Sequence, residues 1–333
     1  MSNTGSAPLG ILTRALTENV FVQKNLAFMN EGDKDGYNVY KHDIANTLRA
    51  RSANPAASAS NTHKKQAIFR QLTHIETMED FDPADYHNYW REYQPEGSLQ
   101  WEKLPAQVQF TLEELFLGHT AQAVEDQLTN GTGSGGSDPI VGLIYQLQDD
   151  DLTDLNGAEP TPTQVVQNTH ICFRAYSGGT GDRAGVALTA NNIFSKLEIL
   201  IKNQNRSMRK RPNKKFMMSS AAVDIVREAQ RTELNFKGVD VTEAGIMRYG
   251  GYEIIENPSF PTNDIVFASM GGDMKHDAIQ MGTSLSSDFN NVTVDRLSNF
   301  GREYGMCLSF ALDIFVVRPE EVCYYTDQAL ITD

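Results

Sequence analysis

Residues 112–143 read LEELFLGHTAQAVEDQLTNGTGSGGSDPIVGL, and the fold turns on this stretch. Apolar residues recur at Leu112, Leu115, Phe116, Ala123, Val124 and Leu128, the spacing that lays one stripe along an α-helix. Glu113 and Glu114 fall in its first turn, where negative charge suits the helix dipole. The pattern predicts one helix of roughly 18 residues, which at about 1.5 Å per residue spans on the order of 27 Å, enough to cross a domain. A short strand is expected just before it, over 107–111. Asn130-Gly131 is the expected stop, with Gly or Asn supplying a left-handed cap.

Downstream, a short helix is expected over 139–148, then an acidic linker to Pro162 and a helix over 190–203 with Ile193, Leu197, Leu200 and Ile201 on one side. A strand at 215–218 leads to a helix through Arg231 that Ser220 can N-cap, with Ala222, Val223, Val226 and Ala229 inward. Strands at 252–255 and 265–268 flank a turn around Pro258 and Pro261, giving a mixed α/β domain. Near the end Met306, Leu308, Phe310, Leu312, Ile314 and Val316 alternate with Cys307, Ser309, Ala311 and Asp313, the period of a strand. At about twelve residues it is far longer than the usual five or six, and it implies a ribbon-like sheet in an elongated domain.

Upstream, residues 86–103 hold two β-prone runs around Gln94-Pro95-Glu96-Gly97-Ser98, a hairpin with a longer loop. Its Tyr89, Trp90, Tyr93 and Trp101 sit among charges and need a covering surface, on their own domain or on another chain. Residues 1–60 mix short apolar clusters with a polar Ala/Ser/Asn-rich stretch at 51–61, and predict an arm that orders only against something else.

At 333 residues, 40% of them apolar, the chain is long enough for about two cores plus extensions. Its 29 basic and 43 acidic residues leave a formal net charge of −14, which repels nucleic acid and anionic membranes over most of the surface. DNA wrapping is therefore excluded as a general role. The three cysteines, Cys172, Cys307 and Cys323, lie far apart without CxxC spacing, so neither a zinc knuckle nor a disulfide framework is indicated. No uninterrupted apolar leader opens the sequence and no stretch of about 18 apolar residues follows, which predicts a soluble, cytoplasmic protein.

Enzyme motifs fail on context. Gly131-Thr132-Gly133-Ser134-Gly135-Gly136 matches GxGxxG, but a dinucleotide site needs a strand before it and a helix after it, and here a helix precedes and Asp138-Pro139 follows. No GK[ST] follows the glycines. The seven histidines form no HxxxH pair, and Asp149-Asp150-Asp151 lacks the glycine and distal glutamate of a calcium loop. There is no GxSxG elbow, so no catalytic residue, cofactor or metal is expected. The cluster Arg206, Arg209, Lys210, Arg211, Lys214 and Lys215 stands out in an acidic chain. It suits phosphates or an acidic neighbouring subunit, and equally the carbonyl end of the helix before it.

In their order these pieces resemble the major capsid proteins of tailed bacteriophages with the Hong Kong 97-type fold. Val124 to Gly133 and on through Pro139-Ile140-Val141-Gly142-Leu143 is similar to that family's spine-helix end and Gly-rich passage into the axial domain. Tyr249-Gly250-Gly251-Tyr252-Glu253-Ile254-Ile255-Glu256-Asn257-Pro258, followed by Ile265-Val266-Phe267-Ala268, resembles the later part of the axial domain. Asp295 to Phe300, leading through the long strand to Arg318-Pro319, resembles the peripheral return strand.

The resemblance implies an α+β chain with the Hong Kong 97-type capsid fold. Its parts are an N-terminal arm (1–60), an extended hairpin loop (86–103), a peripheral domain with the spine helix (61–85, 104–138 and 276–317) and an axial domain (139–275 and 318–333). It implies a protein whose main partner is itself, closing as hexamers and pentamers into an icosahedral shell around double-stranded DNA. Tyr89, Trp90, Tyr93 and Trp101 would then lie over an adjacent subunit. Scaffold, portal and decoration proteins are further partners, packaged DNA is touched only non-specifically, and no membrane is involved. The place implied is the virion capsid, assembled in the host cytoplasm. Some family members cross-link a loop Lys to a strand Asn beside a Glu; residues 306–317 contain no Glu, so no such bond is expected. Rival readings are an encapsulin-type nanocompartment shell protein, a nucleotide-binding α/β enzyme at Gly131, and a nucleic-acid-binding protein acting through 206–215.

Overall fold

A computed structural model describes residues 19–31, 36–44, 63–82, 106–155, 157, 170–232, 239–241, 247–272, 276–283, 293–297 and 303–331. Helices are α1 (Val20–Gln23), α2 (Ala106–Asn130), α3 (Leu143–Gln148), α4 (Ile193–Lys202), α5 (Arg206–Arg209) and α6 (Ser220–Thr232). The first strands are β1 (Phe28–Glu31), β2 (Gly36–Ile44), β3 (His63–Gln71), β4 (Thr73–Phe81), β5 (Thr153–Asp154), β6 (His170–Ile171) and β7 (Phe173–Ala175). Then come β8 (Lys214–Met218), β9 (Val239–Val241), β10 (Met247–Tyr249), β11 (Tyr252–Glu256) and β12 (Ile265–Ser269). The last are β13 (Ile279–Thr283), β14 (Thr293–Arg296), β15 (Tyr304–Val316) and β16 (Val322–Tyr325).

The long strand organises one half of the molecule. β15 pairs with β4 along one edge, and with β14 and then β13 along the other, with β1 parallel outside β13. Met306, Leu308, Phe310, Leu312 and Ile314 are buried in one cluster with Leu112, Phe116, Val124 and Leu128 of α2. The helical stripe and the strand alternation seen in the sequence are thus two sides of one contact, and each fully buried Leu or Phe contributes roughly 1.5–3 kcal/mol to it. Phe21 and Leu26, both fully buried, bring α1 into the same core.

The other half is a seven-stranded sheet in the order β7-β16-β12-β8-β11-β10-β9. Phe216 and Met218 of β8 face α4 and α6 together with Phe267 and Tyr325, while Met217, Val266 and Tyr324 face the cluster that holds α2. Period-two alternation therefore gives this sheet two apolar faces, one under helices and one against the spine.

Several expectations need correction. Residues 107–111 are the first turns of α2, not a strand, so the helix has 25 residues and a length of about 38 Å. Extending a helix that has already nucleated is easy, and that outweighs the β-prone alternation of Val108 and Phe110. Neither Asn130 nor Gly131 is left-handed, and the first positive φ after the helix is at Gly133. Gly131 is needed for closeness: a Cβ there would stand 2.3 Å from the Ile140 carbonyl oxygen. Residues 139–142 are loop, held by the Gly142 amide donating to the Gly131 carbonyl at 2.7 Å, and only 143–148 is helix. The cap of α6 is Ser219, whose hydroxyl accepts from the Ala222 amide at 3.1 Å, with Ser220 already helical.

The largest departure concerns the segment expected as an arm. Within residues 1–60 the structure places α1 in the main core and β1 in the long sheet. It also pairs β2 with β3 in a nine-residue antiparallel ribbon, Gly36 opposite Gln71 through Ile44 opposite His63. Among the described residues β2 and β3 pair backbone to backbone only with each other. The expected hairpin at 86–103, with Tyr89, Trp90, Tyr93 and Trp101, lies outside the described residues.

Candidate assembly surface

One face of the long sheet is covered by α2; the opposite face carries Ala311, Asp313 and Phe315 at one end and Gly305, Cys307 and Ser309 at the other. The root of the β2–β3 ribbon sits on the first end. Tyr37, Val39 and Leu72 pack there against Ala311, Val317 and Phe315. The Tyr37 ring can lie against β13 because residue 282 is glycine, where a Cβ would come within 1.9 Å of the ring.

Asp313 is the polar centre of this contact, with its side chain 6% exposed. Its carboxylate accepts from Arg70 Nε and Nη2, both at 3.0 Å, and from the Tyr37 hydroxyl at 3.0 Å. Arg70 also stacks over the Phe315 ring, 4.3 Å from its centroid. Burial and the Asp313 carboxylate push the Tyr37 hydroxyl well up. Burial opposes the Arg70 charge, yet its bond and charge interaction with Asp313 leave the guanidinium above its ordinary value. An arginine fork on a carboxylate fixes both distance and plane, which a single hydrogen bond does not.

The second end of this face is open. Met78 (54% exposed) and Leu297 (41%) flank Gly305, where a Cβ would lie about 3 Å from each side chain. Glu76, Asp80 and Asp295 are exposed around them. On the helix side, Leu115 and Phe110 are also more than half exposed, and Leu115 borders a groove lined by Phe81, Leu112, Phe116 and Met306 together with Glu79 and His119. Apolar groups gathered beside acids mark a contact surface better than scattered exposed leucines would.

The basic cluster does not act as one patch. Arg209 donates to the carbonyls of Lys202 and Gln204 at 3.1 and 3.2 Å, capping the end of α4. Arg211 pairs with the buried Glu321 at 2.7 Å, and Lys214 donates to Gln204 Oε1 at 2.9 Å. Lys215 reaches the Lys24 carbonyl at 3.3 Å and Glu253 at 3.6 Å, tying α1 to the seven-stranded sheet. Arg206 and Lys210 are exposed.

The Gly-rich loop is closed by its own chain. The Thr132 amide and hydroxyl both donate to the Asp138 carboxylate, at 2.9 and 2.6 Å, and Gly135 and Asp138 exchange backbone bonds. The Asp138 carboxylate thus takes both Thr132 donors, and the loop joins α2 to α3. Among the described residues no group of His, Cys, Asp and Glu could hold a metal, and no helix is long and apolar enough to cross a membrane.

Asp313, Arg70 and Tyr37 were not anticipated as a unit. The available signal was an aspartate at an inward turn of an otherwise apolar strand end, a group that must find a cation once buried. Its partners lie 243 and 276 residues away, beyond any local pattern.

Solved structures similar to this one include capsids and a procapsid. The satellite phage P4 procapsid including size determination (Sid) protein matches with a TM-score of 0.53 and 9% identity over 96% of this chain and 98% of that one. The capsid of the empty GTA particle matches with a TM-score of 0.57 and 16% identity over 92% and 96%. The Cyanophage A-1(L) capsid asymmetric unit matches with 0.53 and 11% over 93% of each. No protein-family model and no curated protein matches the chain. At such identities the likeness is one of fold, and that fold is the Hong Kong 97-type capsid fold in an α+β chain. More particularly, it is the fold of the bacteriophage major capsid proteins.

Proposed function

We propose that the chain is a major capsid protein that assembles through hexamers and pentamers into an icosahedral shell around double-stranded DNA. The observation that carries this is the β2–β3 ribbon, which is rooted on its own sheet at one end by side chains and pairs with no third strand among the described residues. A two-stranded ribbon is marginal in water, so it needs a second surface. Identical subunits arranged around a symmetry axis supply one another with that surface.

The surface that fits is the open end of the long sheet on a second copy. Lys41, Lys64 and Lys65 belong to the far half of the ribbon, and Glu76, Asp80 and Asp295 rim the open face with Met78 and Leu297 between them. Opposite charge steers and registers the contact while the apolar centre supplies the burial. The segment at 86–103, with Tyr89, Trp90, Tyr93 and Trp101, adds aromatic area to the same subunit boundaries. Arg206 and Lys210 are the members of the basic cluster left for a neighbouring subunit or for non-specific contact with packaged DNA. Scaffold, portal and decoration proteins complete a particle of this kind, which forms in the host cytoplasm. On this basis the role is structural and calls for no catalysis.

The test is sedimentation of the unmodified chain beside the Lys64→Glu/Lys65→Glu variant. Rings or shells from the first and only small species from the second, with both equally folded by circular dichroism, are expected. Equal assembly by both contradicts the docking, and a monomeric unmodified chain contradicts the shell.

A further inference from the structure

We infer that Asp313, Arg70 and Tyr37 form a latch that sets the angle at which the β2–β3 ribbon leaves the long sheet. The inference gains its importance from the reading of the ribbon as the element that reaches a second copy, but its geometry is internal to one chain.

Tyr37 and Arg70 are directly opposite one another in the ribbon register, one on each strand. Both close on the same carboxylate, so the two strands of the ribbon are gripped together at their root. Asp313 is itself opposite Gly282 in the sheet, and the Tyr37 ring rests on Gly282. Ribbon, β13 and β15 therefore meet at one point. The grip has three bonds in two directions: the planar Arg70 fork sets the rotation about the carboxylate, and the Tyr37 hydroxyl sets the tilt. The Phe315 ring under the guanidinium blocks its displacement toward the sheet.

The apolar part of the root is too small to do this alone. It comprises Tyr37, Val39 and Leu72 against Ala311, Val317 and Phe315, and apolar contact is not directional. Along a ribbon of nine residue pairs at about 3.3 Å each, a small rotation at the root moves the far end by many ångströms. Curvature of a closed shell depends on such angles, so the latch is a positioning device for assembly.

The experiment places spin labels on Cys307 of the sheet and on Ala67→Cys in the ribbon, with Cys172 and Cys323 protected by burial, and measures the distance distribution by pulsed electron resonance. Labelled subunit is diluted into unlabelled subunit so that each pair is intramolecular. The parent chain is expected to give one narrow distribution. Asp313→Ala is expected to broaden it at least twofold, and Arg70→Lys, which keeps the charge and loses the fork, to broaden it by an intermediate amount with no loss of fold. Tyr37→Phe, which keeps the ring on Gly282, is expected to shift it least. Narrow, superimposable distributions for the parent, Asp313→Ala and Arg70→Lys overturn the latch. If Asp313→Ala does not fold, Arg70→Lys against the parent decides. Failure of the unmodified chain to assemble overturns the shell and leaves these distances unaffected, so the two ideas fail separately.

Discussion

Asp313 at the ribbon root and Asp264 beneath the seven-stranded sheet are both buried carboxylates, and the molecule treats them in opposite ways. Asp313 meets a guanidinium fork and a hydroxyl. Asp264, fully buried, accepts from the Tyr324 hydroxyl at 2.6 Å, with Thr326 nearby and no arginine or lysine bonded to it among the described residues. Burial pushes its carboxyl up to about 6, against the pull of the Tyr324 and Thr326 hydrogen bonds. One aspartate locks an appendage to the body; the other sits in the core at a cost that rises as it ionises. A charge compensated by a cation fixes geometry, and an uncompensated one makes stability depend on pH.

Removing the compensated charge is expected to have the largest effect. Asp313→Ala orphans Arg70 and Tyr37. Breaking a buried pair typically costs about 3–5 kcal/mol, but Arg70 is 30% exposed, so about 2 kcal/mol is expected at the ribbon root. Amide exchange in β2 and β3 should accelerate correspondingly, while β8 and β12 stay protected. Unchanged exchange in the ribbon would show that its apolar root suffices.

The uncompensated aspartate should respond with the opposite sign. The folded value of about 6 lies above the ordinary 3.8, so between those limits the folded chain holds a proton that the unfolded chain has released. Stability contributed by this group is full below about pH 4, falls as pH rises toward 6 and is lost above it. Asp264→Asn keeps an acceptor for Tyr324 without the charge. It is expected to raise stability by about 1–2 kcal/mol at pH 7.5, a shift of a few degrees in melting temperature, and to flatten the slope between pH 4 and 6. A destabilised variant with the slope intact would mean that the carboxylate is solvated or paired.

Smaller effects sharpen the contrast. Tyr37→Phe leaves the ring on Gly282 and removes one of three bonds to Asp313, for a loss of about 1 kcal/mol readable in the same exchange experiment. Denatured particles are expected to run as a single band of about 37 kDa, since the long strand carries no glutamate beside which a lysine and an asparagine could join. A ladder of multimers on the gel would show a covalent bond between subunits.

These two aspartates also mark how far the sequence could be read. The spine helix, the long strand and helices α4 and α6 were legible because each has one buried face, and a buried face writes its period into consecutive residues. The ribbon was not legible. Its strands, GYNVYKHDI and HKKQAIFRQ, pair only with each other and carry no clean alternation, so the first merged with the arm at 1–60 and the second with the peripheral segment at 61–85. α1 is four residues long, too short for a period, although Phe21 at its centre is wholly buried. The basic cluster looked like a surface from composition, and only tertiary partners such as Glu321 and the end of α4 separate its struts from Arg206 and Lys210. Asp313 stood in view as a charge in an apolar strand, but its meaning lies in residues brought to it by the fold.

The most direct test of the central claim is to purify the chain expressed alone and examine it by negative-stain electron microscopy together with solution mass at several ionic strengths. Rings of five or six subunits, or closed shells, whose stability falls as salt screens the ribbon contact, are predicted. A stable, folded monomer of about 37 kDa under every condition would contradict the account.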